Sequence, residues 1–265
     1  MTKAKNRYVQ VIEHIFLKHY KKGDEEVFFE RKEFNETAKT LGIEPLKNLG
    51  DIIYSFRYRA NLPESIVSKA KEGFEWIIRP VGKGKYKLAL TKEARYLPNP
   101  DLVKTKIPDA TPGIVARYSY DDEQSLLAKV RYNRLIDIFT GVTCYSLQNH
   151  LRTTITNMGE VETDEVYVGI DRQGVHYVFP VQAKGGTDKI GVVQIEQDFE
   201  VCREKYPQAV GRPIAVQFID RDTIALFEFA LTDEGVKIAV ERHYRLVHPD
   251  ELSEEELKEY RKHIT

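Results

Sequence analysis

The sequence predicts a two-part α/β protein, in which three helices and a hairpin precede an α/β or α+β domain with a mixed β-sheet. Three observations lead to this prediction. Apolar residues recur with helical spacing up to about residue 60, and a strand–turn–strand pattern follows. A segment with four prolines and no periodicity comes next, and beyond residue 160 the apolar period changes to two. These changes divide the chain into residues 1–98, a linker over 99–120 and residues 121–265.

The front part has the layout of a winged helix-turn-helix domain. Helices are predicted over 7–20, over 29–43 and from Asn48 to about residue 60, where Asn61, Leu62 and Pro63 end the third. Strands over 74–80 and 86–90 form the wing. In this fold the third helix enters the major groove and the wing contacts the DNA backbone or the minor groove.

The exposed side of the third helix and the tip of the wing carry the predicted DNA contacts. The residues are Tyr54, Arg57, Arg59, Lys83 and Lys85. Two other interpretations remain open: a solvated face of an amphipathic helix, and a module that docks another protein.

Charge distribution supports a nucleic-acid partner. The chain of 265 residues has a formal net charge of −1. Residues 1–98 hold 20 Lys and Arg against 13 Asp and Glu, whereas residues 99–265 hold 20 against 28. A basic front half is typical of a part that binds a polyanion, although ordinary charge scatter would also give this count.

Composition excludes several other classes of protein. Hydrophobic residues make up 42% of the chain, which is too many for a disordered protein. No apolar run is long enough for a membrane span, and MTKAKNRY lacks the apolar core of a signal peptide. Two distant cysteines indicate neither a disulfide framework nor a zinc site. The expectation is a soluble, cytoplasmic protein without a membrane partner.

The back part is predicted to alternate helices with strands. The helices are expected over 121–139, about 145–155, 190–205 and the acidic C-terminal tail. The strands are expected over 162–171, 175–184, 213–219, 223–231 and 236–244. A short turn joins the first two strands into an antiparallel hairpin.

This hairpin carries the candidate chemistry. Strict alternation places Glu162 and Asp164 on one face of its first strand, and Gln182 and Lys184 on one face of its second. Pairing then brings together the Asp164 carboxylate, the Gln182 amide oxygen, the Ala183 carbonyl and the lysine. Such oxygen ligands suit Mg²⁺, and a lysine beside a metal-bound water suits phosphodiester hydrolysis. A surface hairpin without a site is the alternative interpretation.

The pattern Asp164, then Gln182-Ala183-Lys184, resembles the catalytic core of the PD-(D/E)xK nuclease superfamily, most of all type II restriction endonucleases. The resemblance covers about residues 122–220. It implies a restriction-endonuclease-like α/β (α+β) core with a mixed sheet. Asp164, Gln182 and Ala183 would hold Mg²⁺, Lys184 would be catalytic, and Gln194 or Gln197 would be the polar residue of the following helix.

Two features depart from this family pattern. Gln182 stands where an acid is usual, so Glu162, Glu165, Asp171 or Asp188 would have to supply the charge, with Glu162 first on strand parity. The upstream helix often offers an acid, but residues 145–155 contain none, and Arg152 is expected to contact phosphate instead.

The resulting expectation is a Mg²⁺-dependent endonuclease that cuts double-stranded DNA as a homodimer, because one site per chain requires two copies to cut both strands. Whether a separate cognate methyltransferase accompanies it stays open. The alternatives are a DNA-binding regulator with an inactive nuclease fold, a structure-specific nuclease and a modification-dependent nuclease.

Overall fold

The computed structural model describes residues 6–120, 122–185 and 188–262, except for the side chains of Tyr58 and Arg59. The chain divides into two units. The first comprises the residues up to Tyr96 together with 153–161 and 191–193, and the second comprises the remainder. No helix within the described ranges is both long enough and apolar enough to cross a membrane.

The first unit combines short helices with a three-stranded antiparallel sheet. Its helices are α1 (Arg7–His19), α2 (Glu33–Thr40), α3 (Leu49–Tyr54) and α4 (Glu64–Val67). Its strands are β1 (Glu26–Glu30), β2 (Glu75–Gly82), β3 (Lys85–Thr91) and β4 (Arg95–Tyr96). The sheet order is β1-β3-β2.

A single apolar core holds this unit together. The N–H of Tyr8 donates to the Asn6 side chain at 2.9 Å, which caps α1 at its start. Val11, Ile12, Ile15 and Phe16 lie on one face of α1 and are fully buried. Phe16 packs edge-on against Trp76 of β2, which joins the first helix to the β2–β3 hairpin.

Two predicted elements of this unit differ in the structure. The predicted helix over 29–43 is shorter, because Glu26–Glu30 forms β1 with alternating burial and pairs with β3. The third helix is α-helical only to Tyr54 and continues as a π-helical turn over Ser55–Arg59. Local periodicity predicts neither feature. The strand β1 depends on pairing with β3, which lies far away in the sequence.

The second unit is a mixed α/β structure around one large sheet. Its helices are α5 (Gly113–Tyr118), α6 (Glu123–Tyr132), α7 (Leu135–Thr140), α8 (Val192–Lys205) and α9 (Glu254–Arg261). Its strands are β5 (Lys104–Pro108), β6 (Thr143–Ile155), β7 (Gly159–Ile170), β8 (His176–Lys184), β9 (Ile190–Gly191), β10 (Val210–Gly211), β11 (Ile214–Phe218), β12 (Thr223–Thr232) and β13 (Gly235–Val247).

Seven of these strands run in the order β5-β13-β12-β11-β8-β7-β6, and β10 pairs with β8 off this path. β8 pairs in parallel with β11, and β13 in parallel with β5. β7–β8, β11–β12 and β12–β13 are antiparallel. The mixed sheet predicted from the sequence is therefore present.

Buried side chains cover both faces of the sheet. Leu126, Leu135 and Val181 belong to a large cluster that packs α6 and α7 on one face. Val166, Val178 and Cys202 pack α8 on the other. The hairpin β7–β8 therefore lies between two helical layers, so side chains from α6 and from α8 can both reach it.

Three predictions for this unit are wrong in detail. Residues 145–155 belong to strand β6 rather than a helix, because they pair with β7 at the border of the sheet. The single helix predicted over 121–139 is broken at Arg134, whose φ of 50° is left-handed. The segment predicted as a linker over 99–120 contains β5 and α5, and β5 joins the sheet through distant β13.

Candidate active site

The candidate site lies where the regular pairing of β7 with β8 ends. Glu165 is opposite Val181, and this pair is the last of the regular register. Two residues further along β8, the N–H of Ala183 donates to Oδ2 of Asp164 at 2.8 Å. A carboxylate thus occupies the place where a ladder hydrogen bond would be expected.

The side chains of β7 do not alternate strictly here. Thr163 contacts Asp198 of α8, whereas Glu165, two residues later, binds Arg131 of α6 on the opposite face. Residues two apart in a regular strand share a face, so the alternation is interrupted around Asp164, as in a β-bulge. The strict parity used in the sequence analysis therefore fails at this point, although Asp164 and the end of β8 still meet.

Asp164 is mostly buried, and this burial raises the pKa of its carboxyl group. The hydrogen bond from Ala183 and the charge of Lys184 act in the opposite direction, while Glu123 raises the pKa further. A cation bound next to Asp164 would stabilise the ionised form of this carboxyl group, because a nearby positive charge favours the negative charge.

Lys184 ends β8 beside Asp164. Its Nζ donates to Oε1 of Glu123 at 3.0 Å, and only 13% of the lysine side chain is exposed. Glu123 is the first residue of α6, whose N-terminus is capped by Asp122 through the N–H of Ser125. The structure therefore brings a second acid to the site.

Sequence reasoning missed Glu123. It looked for an upstream acid only in residues 145–155, which form β6. The available signal was the Asp122-Glu123 start of α6, but no local pattern relates that start to Lys184, 61 residues later.

The side chain of Gln182 is buried and makes three hydrogen bonds behind the site. Its Nε2 donates to Oδ2 of Asp198 at 2.9 Å and to the Glu162 carbonyl at 3.3 Å. Its Oε1 accepts from Nε2 of Gln194 at 3.2 Å. A metal-binding role for Gln182 stays a prediction, since this oxygen has one lone pair beyond that bond.

Asp198 is the centre of this buried network. It accepts a hydrogen bond from Oγ1 of Thr163 at 2.6 Å in addition to that from Gln182. Burial raises its pKa to about 7, against the effect of these two donors. The sequence analysis did not single out Asp198, because an acid in the middle of an amphipathic helix usually faces water.

The donor set fits a hard divalent cation. Oε1 of Gln194 is a buried acceptor with no hydrogen-bond donor among the described residues, and such an atom calls for a cation or a water. The carboxylates of Asp164 and Glu123 add the oxygen ligands that Mg²⁺ prefers. Within the described ranges no group of three or more His, Cys, Asp and Glu is placed to hold a metal, and Mg²⁺ commonly takes one or two carboxylates.

The other predicted acids occupy different positions. Glu162 is bound by Nε of Arg152 at 3.2 Å, so these two predicted residues engage each other. Glu165 is fully buried between Arg131 and Ser146. Asp171 accepts bonds within the β7–β8 turn, and Asp188 is exposed in the loop before β9.

The residues predicted to contact DNA in the first unit differ in exposure. Lys83 and Lys85 are exposed at the β2–β3 turn, and Tyr54 is exposed on α3. Arg57 is half-buried, and its Nε donates to the Ile78 carbonyl of β2 at 2.9 Å. The side chain of Arg59 lies outside the described residues.

Comparisons with models of protein families, with curated proteins and with solved structures gave no match.

Proposed function

We propose that this chain is a Mg²⁺-dependent DNA endonuclease that resembles type II restriction enzymes of the PD-(D/E)xK superfamily. The observation that carries the proposal is that Asp164 of β7 binds the N–H of Ala183 next to Lys184 at the end of β8, with Glu123 bound to the lysine. A largely buried ammonium group bonded to one carboxylate and close enough to a second to lower its pKa is suited to hydrolysis of a phosphodiester.

The first unit would serve as a winged helix-turn-helix DNA-binding domain. Its order α1-β1-α2-α3, followed by the single turn α4 and the β2–β3 hairpin, supports this assignment. The exposed wing lysines Lys83 and Lys85 would contact phosphate, and Tyr54 of α3 would face the duplex. Arg57 would instead hold α3 and the wing together through Ile78.

In the reaction, Asp164, Glu123, the backbone carbonyl of Ala183 and the open acceptor Oε1 of Gln194 would hold Mg²⁺ and its waters, and Gln182 would lie behind them. When bound, the metal polarises the scissile phosphate and acidifies a coordinated water. Lys184 would orient the attacking water and offset the negative charge that develops on the phosphate. Water supplies hydroxide to phosphorus and a proton to the leaving oxygen, so the balance needs no further reactant.

The decisive experiment is cleavage of unmodified and methylated phage DNA by the full chain, with Mg²⁺ or with EDTA. We expect discrete fragments with Mg²⁺ and none with EDTA, since the carboxylates need a cation to bring a phosphate near. Cleavage of methylated DNA alone would indicate a modification-dependent enzyme. Cleavage of branched DNA only would indicate a structure-specific one.

A DNA-binding regulator with an inactive nuclease fold is the second candidate function. The three hydrogen bonds of Gln182 with Asp198, Glu162 and Gln194 favour it, because the amide that replaces the usual acid is already held by these neighbours. Tight DNA binding without cleavage of any substrate, and without Mg²⁺ or Mn²⁺ affinity that depends on Asp164, would support this candidate.

The wing lysines give a test of the DNA-binding domain by itself. We expect the double variant Lys83→Ala/Lys85→Ala to bind DNA more weakly and to lower the slope of log K against log salt concentration by about 2, because each phosphate contact contributes about 0.9. The control is Lys21→Ala/Lys22→Ala, which removes two exposed lysines outside the wing. An unchanged slope in the wing variant would exclude these lysines from the interface.

A further inference from the structure

The two edge strands of the large sheet differ in whether another element covers them. At one border lies β5, a strand of five residues. The N–H of Lys106 in β5 donates to the Tyr260 hydroxyl of α9 at 3.0 Å, and its Nζ binds Glu256 at 2.7 Å. Helix α9 therefore covers this border, and its Tyr260 accepts a hydrogen bond from a backbone N–H that could otherwise pair with a further strand.

At the other border lies β6, a strand of 13 residues. In the part of the chain that the structure describes, β6 is the last strand in the order and pairs only with β7. Tyr145 is 60% exposed and Leu147 is 51% exposed. Residues 143–149, TCYSLQN, contain none of the lysines, prolines or acids that usually protect an open edge.

Two side-chain hydrogen bonds anchor this segment within the second unit. Oγ of Ser146 donates to Glu165 at 2.5 Å, and Nη2 of Arg131 donates to Asn149 at 3.3 Å. The strand is therefore held in position before any partner arrives, which lowers the entropic cost of pairing. His150, with its left-handed φ of 49°, ends the regular part of the edge.

We propose that residues 143–149 of β6 form the interface between two copies of this chain, by antiparallel pairing across a two-fold axis. A second copy fits this edge because the segment is uncharged, so that self-pairing places no like charges opposite each other. Tyr145 and Leu147 lie two residues apart and share a side, and the two-fold axis would bring the apolar pairs of both copies together. A strongly charged partner such as DNA finds no complementary charge on these seven residues.

The functional consequence rests on the proposed nuclease activity, because cutting both strands requires two sites. β6 is adjacent to β7, which carries Asp164, so pairing through β6 joins the two active-site hairpins in one continuous sheet. The dimer itself does not depend on the chemistry of the site.

The test is the mass of the full chain in solution without DNA or metal, so that its failure is independent of cleavage. We expect twice the chain mass of 30.7 kDa by light scattering and sedimentation. Leu147→Lys and, separately, Tyr145→Lys should raise the dimer dissociation constant at least about tenfold, because each puts an ammonium group against the apolar side chain opposite it and brings the lysines of the two copies into diagonal positions. Leu231→Lys is the control, since Leu231 is equally exposed but lies on β12 beside the β12–β13 turn, away from β6.

Circular dichroism and thermal melting establish that each variant is folded. Should Leu147→Lys fail to fold, Tyr145→Lys decides by itself, and Leu147→Ser serves as a neutral second variant with a smaller expected increase. A monomeric wild-type chain up to about 100 μM overturns the proposal. So does a dimer whose dissociation constant is the same in the folded lysine variants and in the control.

Discussion

We expect Lys184→Ala to lower the rate of DNA cleavage by about 10³-fold or more, while the affinity for DNA stays within about twofold of wild type. The reason is the position of the ammonium group, which is largely buried, bonded to Glu123, and close enough to Asp164 to lower the pKa of that carboxyl group. A group so enclosed contributes little to overall DNA attraction, which depends on exposed lysines. The substitution removes the positively charged ammonium group that would lie next to the attacking water and the scissile phosphate.

The matched control is Lys189→Ala, because Lys189 is exposed in the loop that follows Lys184. Single-turnover cleavage and filter binding on the same DNA separate chemistry from affinity. Lys184→Arg keeps the charge but changes the donor geometry, so we expect it to recover only a small part of the rate. Cleavage by Lys184→Ala at near wild-type rate would refute the role given to this lysine.

Asp164 and Lys184 could be found in the sequence because their relation is local. The β7–β8 hairpin has a short turn, and strands joined in this way almost always pair with each other. The register of an antiparallel hairpin then brings Asp164 close to the end of β8 whatever the rest of the chain does. The prediction of these two neighbours therefore survives the irregularity at Asp164.

Glu123 and strand β6 could not be found in the same way. Glu123 reaches Lys184 only because α6 packs on the sheet through Leu126, Leu127 and Val130, and this packing is tertiary. The segment 145–155 contains Leu147 and Leu151 at helical spacing, and its strand form depends on pairing with β7. Long-range pairing overrides local propensity in such border strands.

The replacement of the usual acid by Gln182 has a physical counterpart in Asp198. A carboxylate at residue 182 would face the buried carboxylate of Asp198, and two like charges at hydrogen-bond distance cannot both be ionised. The amide avoids this conflict, since Nε2 donates to Asp198 at 2.9 Å. The acid at this point of the structure thus lies on α8 instead of β8.

Asp198 should make the stability of the fold depend on pH. Its pKa is about 7 in the folded chain, above the ordinary value near 4 of an exposed aspartate. Between these two values the folded state holds a proton that the unfolded state has lost, so the free energy of unfolding falls as the pH rises. The stabilising effect is complete below about pH 4 and is lost above about pH 7.

Asp198→Asn keeps the size of the side chain and resembles the protonated acid. Its amide oxygen can accept from Gln182, and its amide nitrogen can donate to Oγ1 of Thr163. Relative to this variant, we expect the wild-type chain to lose about 3 kcal/mol of unfolding free energy between pH 5 and pH 8. Urea unfolding at four pH values in that range measures the difference.

Comparison of two otherwise identical chains isolates Asp198 from the many other groups that titrate in the unfolding reaction. Asp164, Lys184 and Cys202 lie near enough to interact with its charge. Asp188→Asn is the control, because it removes an exposed carboxylate from the same region and should leave the pH dependence unchanged.

Parallel pH profiles for wild type and Asp198→Asn would mean that Asp198 is already ionised in the folded chain at pH 5. The Asp198–Gln182 bond would then be charge-assisted at every pH where the protein works, and the site would carry one more permanent negative charge to attract a cation.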